Sequence, residues 1–105
     1  MSSHRAGIVI TPRARAQLSD VLLHSEQEWG PGQVRAYARA LGTAMLALAG
    51  NPYIGRRRDE IADGLRSYRV QKHVIFYRYL NGKVFVVQIL RVRRDPRGAD
   101  WDDAS

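Results

Sequence analysis

The dipeptide Asn81-Gly82 constrains the fold of this chain more than any other feature, because Asn-Gly strongly favours a two-residue β-hairpin turn. It separates two runs rich in Val, Ile, Tyr and Phe, which extend from His73 to Leu80 and from Val84 to Val92. A third run of this composition, Leu65 to Val70, precedes them. The second half of the chain is therefore predicted to form three consecutive antiparallel strands.

The first half of the chain has helical periodicity instead. Apolar residues recur at three- and four-residue steps from Arg13 to Trp29 and again from Val34 to about Gly50. Between them, Gly30-Pro31-Gly32 ends the first helix, and so short a connection predicts an antiparallel helical hairpin. A β-branched run from Gly7 to Thr11 predicts a short strand before the first helix.

These elements predict an α+β fold with an N-terminal strand and an antiparallel helical hairpin packed on a small antiparallel sheet. The continuous apolar run Val84 to Val87 is typical of a central strand beneath the helices, whereas the charged segment Arg56 to Asp63 is predicted to be an exposed loop. A length of 105 residues suits one domain over residues 1–105, with a core of about 7–97 and a C-terminal tail at 98–105.

The charge of the chain favours an anionic partner. Seventeen Lys and Arg residues against ten Asp and Glu give a net charge of +7, which suits nucleic acid, a ribosome or an acidic protein. An arginine-rich coding bias would give the same count. No apolar stretch approaches the length of a membrane span, so we expect a cytoplasmic protein without a membrane partner.

Several kinds of chemistry have little support in the sequence. The absence of cysteine excludes disulfides, thiolate zinc sites and thiol catalysis. His4, His24 and His73 share no metal-ligand spacing, and no phosphate-binding glycine motif is present. We therefore expect neither a metal nor a cofactor.

The chain resembles the ParE branch of the RelE/ParE toxins, over about residues 8 to 97. The resemblance rests on ordered segments: Pro52 to Gly55, then Gly64-Leu65-Arg66, then His73 to Arg78, and the final ILRVRRD. It implies a toxin of a type II toxin–antitoxin system. One departure is that many relatives have Ile-Leu-His in the last strand, where this chain has Ile-Leu-Arg91.

The two branches of the family imply different activities. RelE-type relatives cleave mRNA on the ribosome, which needs a general base and acid; arginines stabilise charge but are poor bases. His73 is the one histidine in the matching half, and a packing role is favoured for it over catalysis. ParE-type relatives inhibit DNA gyrase, which needs a binding surface. We therefore expect no catalytic residues and no sequence-specific contact with nucleic acid.

The resemblance directs attention to two surfaces. A basic segment with one aromatic anchor is the candidate for contact with gyrase, and the alternative is a solvated face with the tryptophan packed on the core. It comprises Arg91, Arg93, Arg94, Arg97 and Trp101. A ParD-like antitoxin, forming a hetero-oligomer with the toxin, is expected in the groove of the helical hairpin and at the neighbouring sheet edge. The candidates expected to be exposed there are Trp29, Tyr37 and Leu41, although ordinary core packing would also explain these three. The further candidates are Arg66, Arg69 and Arg78.

Three functions therefore remain open: a gyrase inhibitor, which is favoured, a ribosome-dependent ribonuclease, and a degenerate homologue that binds antitoxin without toxicity. The third is motivated by Arg91 in place of histidine.

Overall fold

The computed structural model describes residues 5–101, except for the side chain of Ser25. The elements occur in the predicted order, with two additions: a two-residue strand after the helices and one turn of 3-10 helix near the C-terminus. They are β1 (Gly7–Ile10), α1 (Pro12–Trp29), α2 (Pro31–Gly50), β2 (Arg56–Arg57), β3 (Arg66–Val70), β4 (His73–Leu80), β5 (Lys83–Arg91) and the 3-10 turn Pro96–Gly98. No helix in this part of the chain is long and apolar enough to cross a membrane.

The helical hairpin begins and turns where the sequence predicted. The Thr11 hydroxyl accepts a hydrogen bond from the Ala14 amide at 3.2 Å, which caps α1, and Pro12 occupies the first helical position. Gly30 lies between the helices with φ of 83°, a conformation that favours glycine. Pro31 then begins α2 at once, so the two helices pack against each other as neighbours.

The five strands form one sheet in the order β1-β5-β4-β3-β2. Strands β2 to β5 pair antiparallel, and Asn81 and Gly82 both have positive φ, as a type I′ hairpin turn requires. The predicted α+β fold is confirmed. The sheet is mixed rather than wholly antiparallel, because β1 pairs parallel to β5. Part of the segment predicted as a loop, Arg56–Arg57, is the edge strand β2, since it pairs with β3.

Each face of the sheet has its own apolar cluster. The helices cover one face, and their contact with the sheet forms the larger cluster. Its most buried members are Ala14, Leu41, Leu48, Ile75, Tyr77, Val84 and Val86. On the opposite face, Leu65, Phe76 and Leu90 form a smaller cluster, covered in part by Ile61 and Trp101. The prediction that β5 is covered on both faces is therefore confirmed.

A β-bulge in β5 joins the sheet to the start of α1. Tyr77 pairs with Val86 and Phe76 pairs with Gln88, which leaves Val87 as the extra residue. The Thr11 amide donates to the Val86 carbonyl and its hydroxyl donates to the Val87 carbonyl, both at 3.1 Å. The bulge thus holds the N-cap residue of α1, which fixes the direction in which the helix crosses β5.

Candidate functional site

A groove of about 840 Å³ lies between α1 and the end of β5. It exists because β1 pairs with β5 only as far as Ile10 and Val86, whereas β5 continues to Arg91. Beyond β1, the neighbour of β5 on this side is α1. The Gln17 side chain bridges the two, since its Oε1 accepts from the Ile89 amide at 2.7 Å and its Nε2 donates to Gln88 at 3.0 Å.

The walls of the groove carry different charges. The wall formed by α1 contributes Asp20 and Glu28. The wall formed by the sheet and the segment after β5 contributes five cations, which are Arg69, Lys72, Arg91, Arg93 and Arg94. None of the ion pairs found within residues 5–101 includes any of these five. Their charge is therefore free to act on a partner.

His73 lines the groove and contacts Tyr37, which lies behind it on α2. The Tyr37 hydroxyl donates to the Val70 carbonyl at 3.2 Å and contacts Nδ1 of His73. Burial lowers the pKa of His73 below 6.5, and the charges of Arg91 and Lys72 lower it further. Burial also raises the pKa of Tyr37 above 10.0. Both side chains are therefore neutral at pH 7 and serve as a polar contact between helix and sheet.

An aromatic–cation contact marks the far end of the groove. Lys72 Nζ lies 4.4 Å from the ring centroid of Trp29, and the same ring meets Tyr37 edge to face at 6.3 Å. Trp29 remains 39% exposed, so a large apolar surface stands beside the cations. A rim of this composition suits the binding of a macromolecule.

The predicted gyrase-contact residues occupy two separate places. Arg91, Arg93 and Arg94 are exposed and line the groove. Arg97 forms an ion pair with Asp95 at 3.1 Å on the surface. Trp101 lies on the opposite face of the sheet, where its ring centroid is 4.9 Å from that of Phe76.

The segment around Trp101 is fixed by contacts to its backbone. The Arg13 side chain donates to the Asp100 carbonyl at 2.8 Å, and the Gln88 side chain donates to the same oxygen. Arg78 donates to the Trp101 carbonyl at 3.2 Å. Trp101 is thus half-buried and held against the sheet, which matches the alternative arrangement considered from the sequence.

The predicted antitoxin-contact residues also lie in different parts of the structure. Trp29 and Arg69 line the groove. Tyr37 and Leu41 are only 4% and 1% exposed, so their expected exposure is wrong. Both lie on the stripe of α2 that faces the sheet. The prediction failed because helical periodicity gives the direction of a side chain but not the depth of its burial.

Two further candidates of that set, Arg66 and Arg78, donate hydrogen bonds to backbone carbonyls of nearby segments. Arg66 donates to the Gly55 carbonyl at 2.9 Å and lies 5.3 Å from the Tyr53 ring centroid. Arg78 donates to the Asp63 carbonyl at 2.9 Å as well as to the C-terminal segment. Both side chains are half-buried.

The groove contains little that would catalyse RNA cleavage. His73 is 6% exposed and its cross-strand neighbour is Arg91, a poor base. Within residues 5–101, no group of three or more His, Asp or Glu side chains is placed to hold a metal ion. The arrangement therefore offers charge, an aromatic surface and exposed strand backbone for binding.

The sequence predicted a docking groove on the helical hairpin, whereas the observed groove lies between α1 and β5. Its acidic wall, its Gln17 bridge and its Lys72–Trp29 contact join residues distant in the chain. The available signal was the difference in length between the first and last strands, because a four-residue β1 leaves part of the nine-residue β5 without a strand neighbour on that side.

The fold and this binding groove define a small α+β protein suited to binding another macromolecule. Residues 8–96 match the family model of the ParE toxin of the type II toxin–antitoxin system, parDE. The chain therefore belongs to the ParE toxin family.

Individual relatives agree with this assignment. Toxin ParE1 of Mycobacterium tuberculosis is 36% identical over 88 residues, covering 83% of this chain and 90% of the relative. Toxin ParE of Escherichia coli is 33% identical over 90 residues, covering 83% of this chain and 85% of the relative. A solved chain of the chromosomal ParDE system from P. aeruginosa superposes with a TM-score of 0.74 at 19% identity, covering 87% of this chain and all of that one, which supports the fold.

Proposed function

We infer that this ParE-type toxin acts in the cytoplasm by binding and inhibiting DNA gyrase, without catalysing a reaction of its own. The observation that carries the proposal is the arginine-lined groove, whose cations form no ion pairs within the described chain. Three of the cations, Arg91, Arg93 and Arg94, extend from the last strand into the segment that follows it. A cluster of this kind supports recognition of an acidic surface.

A ParD-like antitoxin is proposed to neutralise the toxin by forming a hetero-oligomer with it. The cationic wall and the exposed Trp29 ring support this, since an acidic segment with apolar residues would satisfy both. Arg69 lies on the same wall. The antitoxin and gyrase would then compete for part of one surface.

The test is a supercoiling assay with purified gyrase, run beside a ribosome-bound mRNA cleavage assay at the same toxin concentration. We expect inhibited supercoiling, accumulation of cleaved DNA and intact mRNA. Cleaved mRNA with normal supercoiling would instead establish a RelE-like ribonuclease and make His73 and Arg91, which are cross-strand neighbours in the groove, the first residues to change.

A matched pair of double variants locates the surface. R93E/R94E reverses two exposed charges at the groove, and R15E/R39E makes the same change at exposed helical positions that do not line it. We expect the first to weaken gyrase inhibition by about tenfold or more and the second to keep it nearly unchanged. Equal losses would show that net charge alone governs the inhibition.

A growth assay addresses the degenerate-homologue alternative. We expect the chain with Arg91 to arrest growth when it is expressed alone. Absence of arrest in both this chain and its Arg91→His variant would favour a homologue that binds antitoxin without toxicity.

A further inference from the structure

The backbone edge of β5 is open where the strand enters the groove. In the antiparallel ladder, Val92 donates to the Lys72 carbonyl at 2.9 Å, so Arg91 and Ile89 are the positions whose N–H and C=O point away from β4. The bond from the Ile89 amide to Gln17 confirms this direction. Four backbone groups of β5 are therefore directed toward α1.

Two of these four groups have partners. The Ile89 amide is bonded to the Gln17 side chain, and the Arg91 carbonyl accepts from the Arg94 amide at 3.0 Å. The remaining two, the Ile89 carbonyl and the Arg91 N–H, face the groove. One acceptor and one donor on alternate residues of a strand edge match the backbone of an added strand.

The groove also has the size and charge for such a strand. Its volume of about 840 Å³ extends from Gln17 to Trp29 along α1. Cations outnumber acidic residues on its walls by five to two, so an acidic segment is attracted and a basic one repelled. A nucleic acid would satisfy the cations but has no peptide backbone to pair with the edge of β5.

We propose that the groove between α1 and β5 is a strand-addition site, in which an extended acidic peptide segment of a partner protein pairs with the Ile89 carbonyl and the Arg91 N–H. The proposal deepens the proposed function, because the antitoxin is the partner expected to supply the segment. The acidic side chains of the segment contact Arg69, Arg93 and Arg94, and its apolar side chains contact Trp29.

The binding test uses the full-length chain and a ten-residue peptide of alternating valine and glutamate. The control peptide has the same sequence with every backbone nitrogen methylated, which keeps its charge and removes the backbone donors along both edges. We expect calorimetry to show at least about tenfold weaker binding of the methylated peptide. Equal binding of the two peptides would overturn the proposal.

A pair of variants tests the backbone donor directly. Arg91→Ala and Arg91→Pro both remove the charge, but only proline removes the outward N–H, which takes no part in the β4 ladder. We expect Arg91→Pro to bind the peptide several-fold more weakly than Arg91→Ala. Equal binding by two folded variants would contradict the proposal.

Hydrogen exchange on the unaltered chain provides a measurement that does not depend on any variant folding. The peptide is expected to slow exchange of the Arg91 amide, while amides of β2 at the far edge of the sheet are unaffected. Unchanged exchange at Arg91 with bound peptide would overturn the proposal, as would equal protection by single-stranded DNA of matched charge. None of these measurements uses gyrase, so failure of gyrase inhibition and failure of strand addition are separate results.

Discussion

On one face of the sheet, the two helices bury a continuous apolar cluster. On the opposite face, a short C-terminal segment covers three apolar side chains, and it is held largely by hydrogen bonds to its backbone carbonyls. The first arrangement depends on close packing, and the second on a few polar contacts at an exposed rim. We infer that stability is concentrated on the helix-covered face. The basic segment between β5 and Trp101 can then vary in sequence at little cost to the fold.

The largest effect that distinguishes the two faces is expected from Leu48→Ala. Leu48 is fully buried between α2 and the sheet, so its truncation leaves a cavity and lowers the free energy of unfolding by about 2–5 kcal/mol. Urea denaturation measures this change. Leu23→Ala, at a position on α1 that is 56% exposed, is the control and should change stability by less than about 0.5 kcal/mol.

A second test concerns the turn that follows α2. The Tyr77 hydroxyl accepts from the Gly55 amide at 2.9 Å and donates to the Pro52 carbonyl at 2.7 Å. A Cβ at Gly55 would overlap the Tyr77 hydroxyl oxygen. We expect Gly55→Ala to destabilise the chain by about 1–3 kcal/mol. Gly42→Ala, where a Cβ meets open space within α2, should stabilise it by up to about 1 kcal/mol. If both variants changed the free energy of unfolding in the same direction, this account of Gly55 would be contradicted.

The opposite face should tolerate change better. Trp101→Ala removes the contact with Phe76 and the bond from the indole nitrogen to the Pro96 carbonyl, which measures 2.9 Å. Because Trp101 is half-buried, we expect a loss of about 1–2 kcal/mol in the same urea assay. A loss as large as that from Leu48→Ala would show that the two faces contribute equally, and would remove the distinction.

The smallest effect concerns pH and the contact between His73 and Tyr37. Burial lowers the pKa of His73 in the folded state, so the unfolded chain binds a proton more readily. The free energy of unfolding should therefore decrease as the pH falls from about 6.5 through the lowered folded pKa. The pKa values of Asp59 and Asp95 are lowered from 3.8, so these groups titrate below this window. His73→Gln should reduce the slope of stability against pH between pH 5 and 6.5, and an unchanged slope would contradict the assignment.

Local chemistry explains how much of this fold was predictable. Asn81-Gly82 determines its own hairpin, and the bounds of β4 were predicted as observed, because turn residues and β-branched runs act over a few positions. Pro12 and Thr11 predicted the start of α1 for the same reason. Neighbouring residues were enough to indicate these elements.

The remaining features depend on which distant segments meet. The parallel pairing of β1, the bulge at Val87 and the edge strand Arg56–Arg57 are properties of pairs of strands, and no single segment encodes them. In the candidate site, Arg91, Arg93 and Arg94 were selected from composition, and the structure brings them together with Trp29. Composition gave no indication that the basic side chains line a groove while Trp101 lies on the other face.

The pairing of the first strand with the last affects how the chain is made. Ile8 lies beside Val84, so a loop of more than seventy residues must close before the sheet is complete. During synthesis the ribosome releases β5 after every other strand, and one wall of the groove includes β5 and the residues that follow it. Until both have left the ribosome, a nascent chain has no assembled groove. Any partner that recognises the groove can therefore bind only after β5 and the segment that follows it have been released.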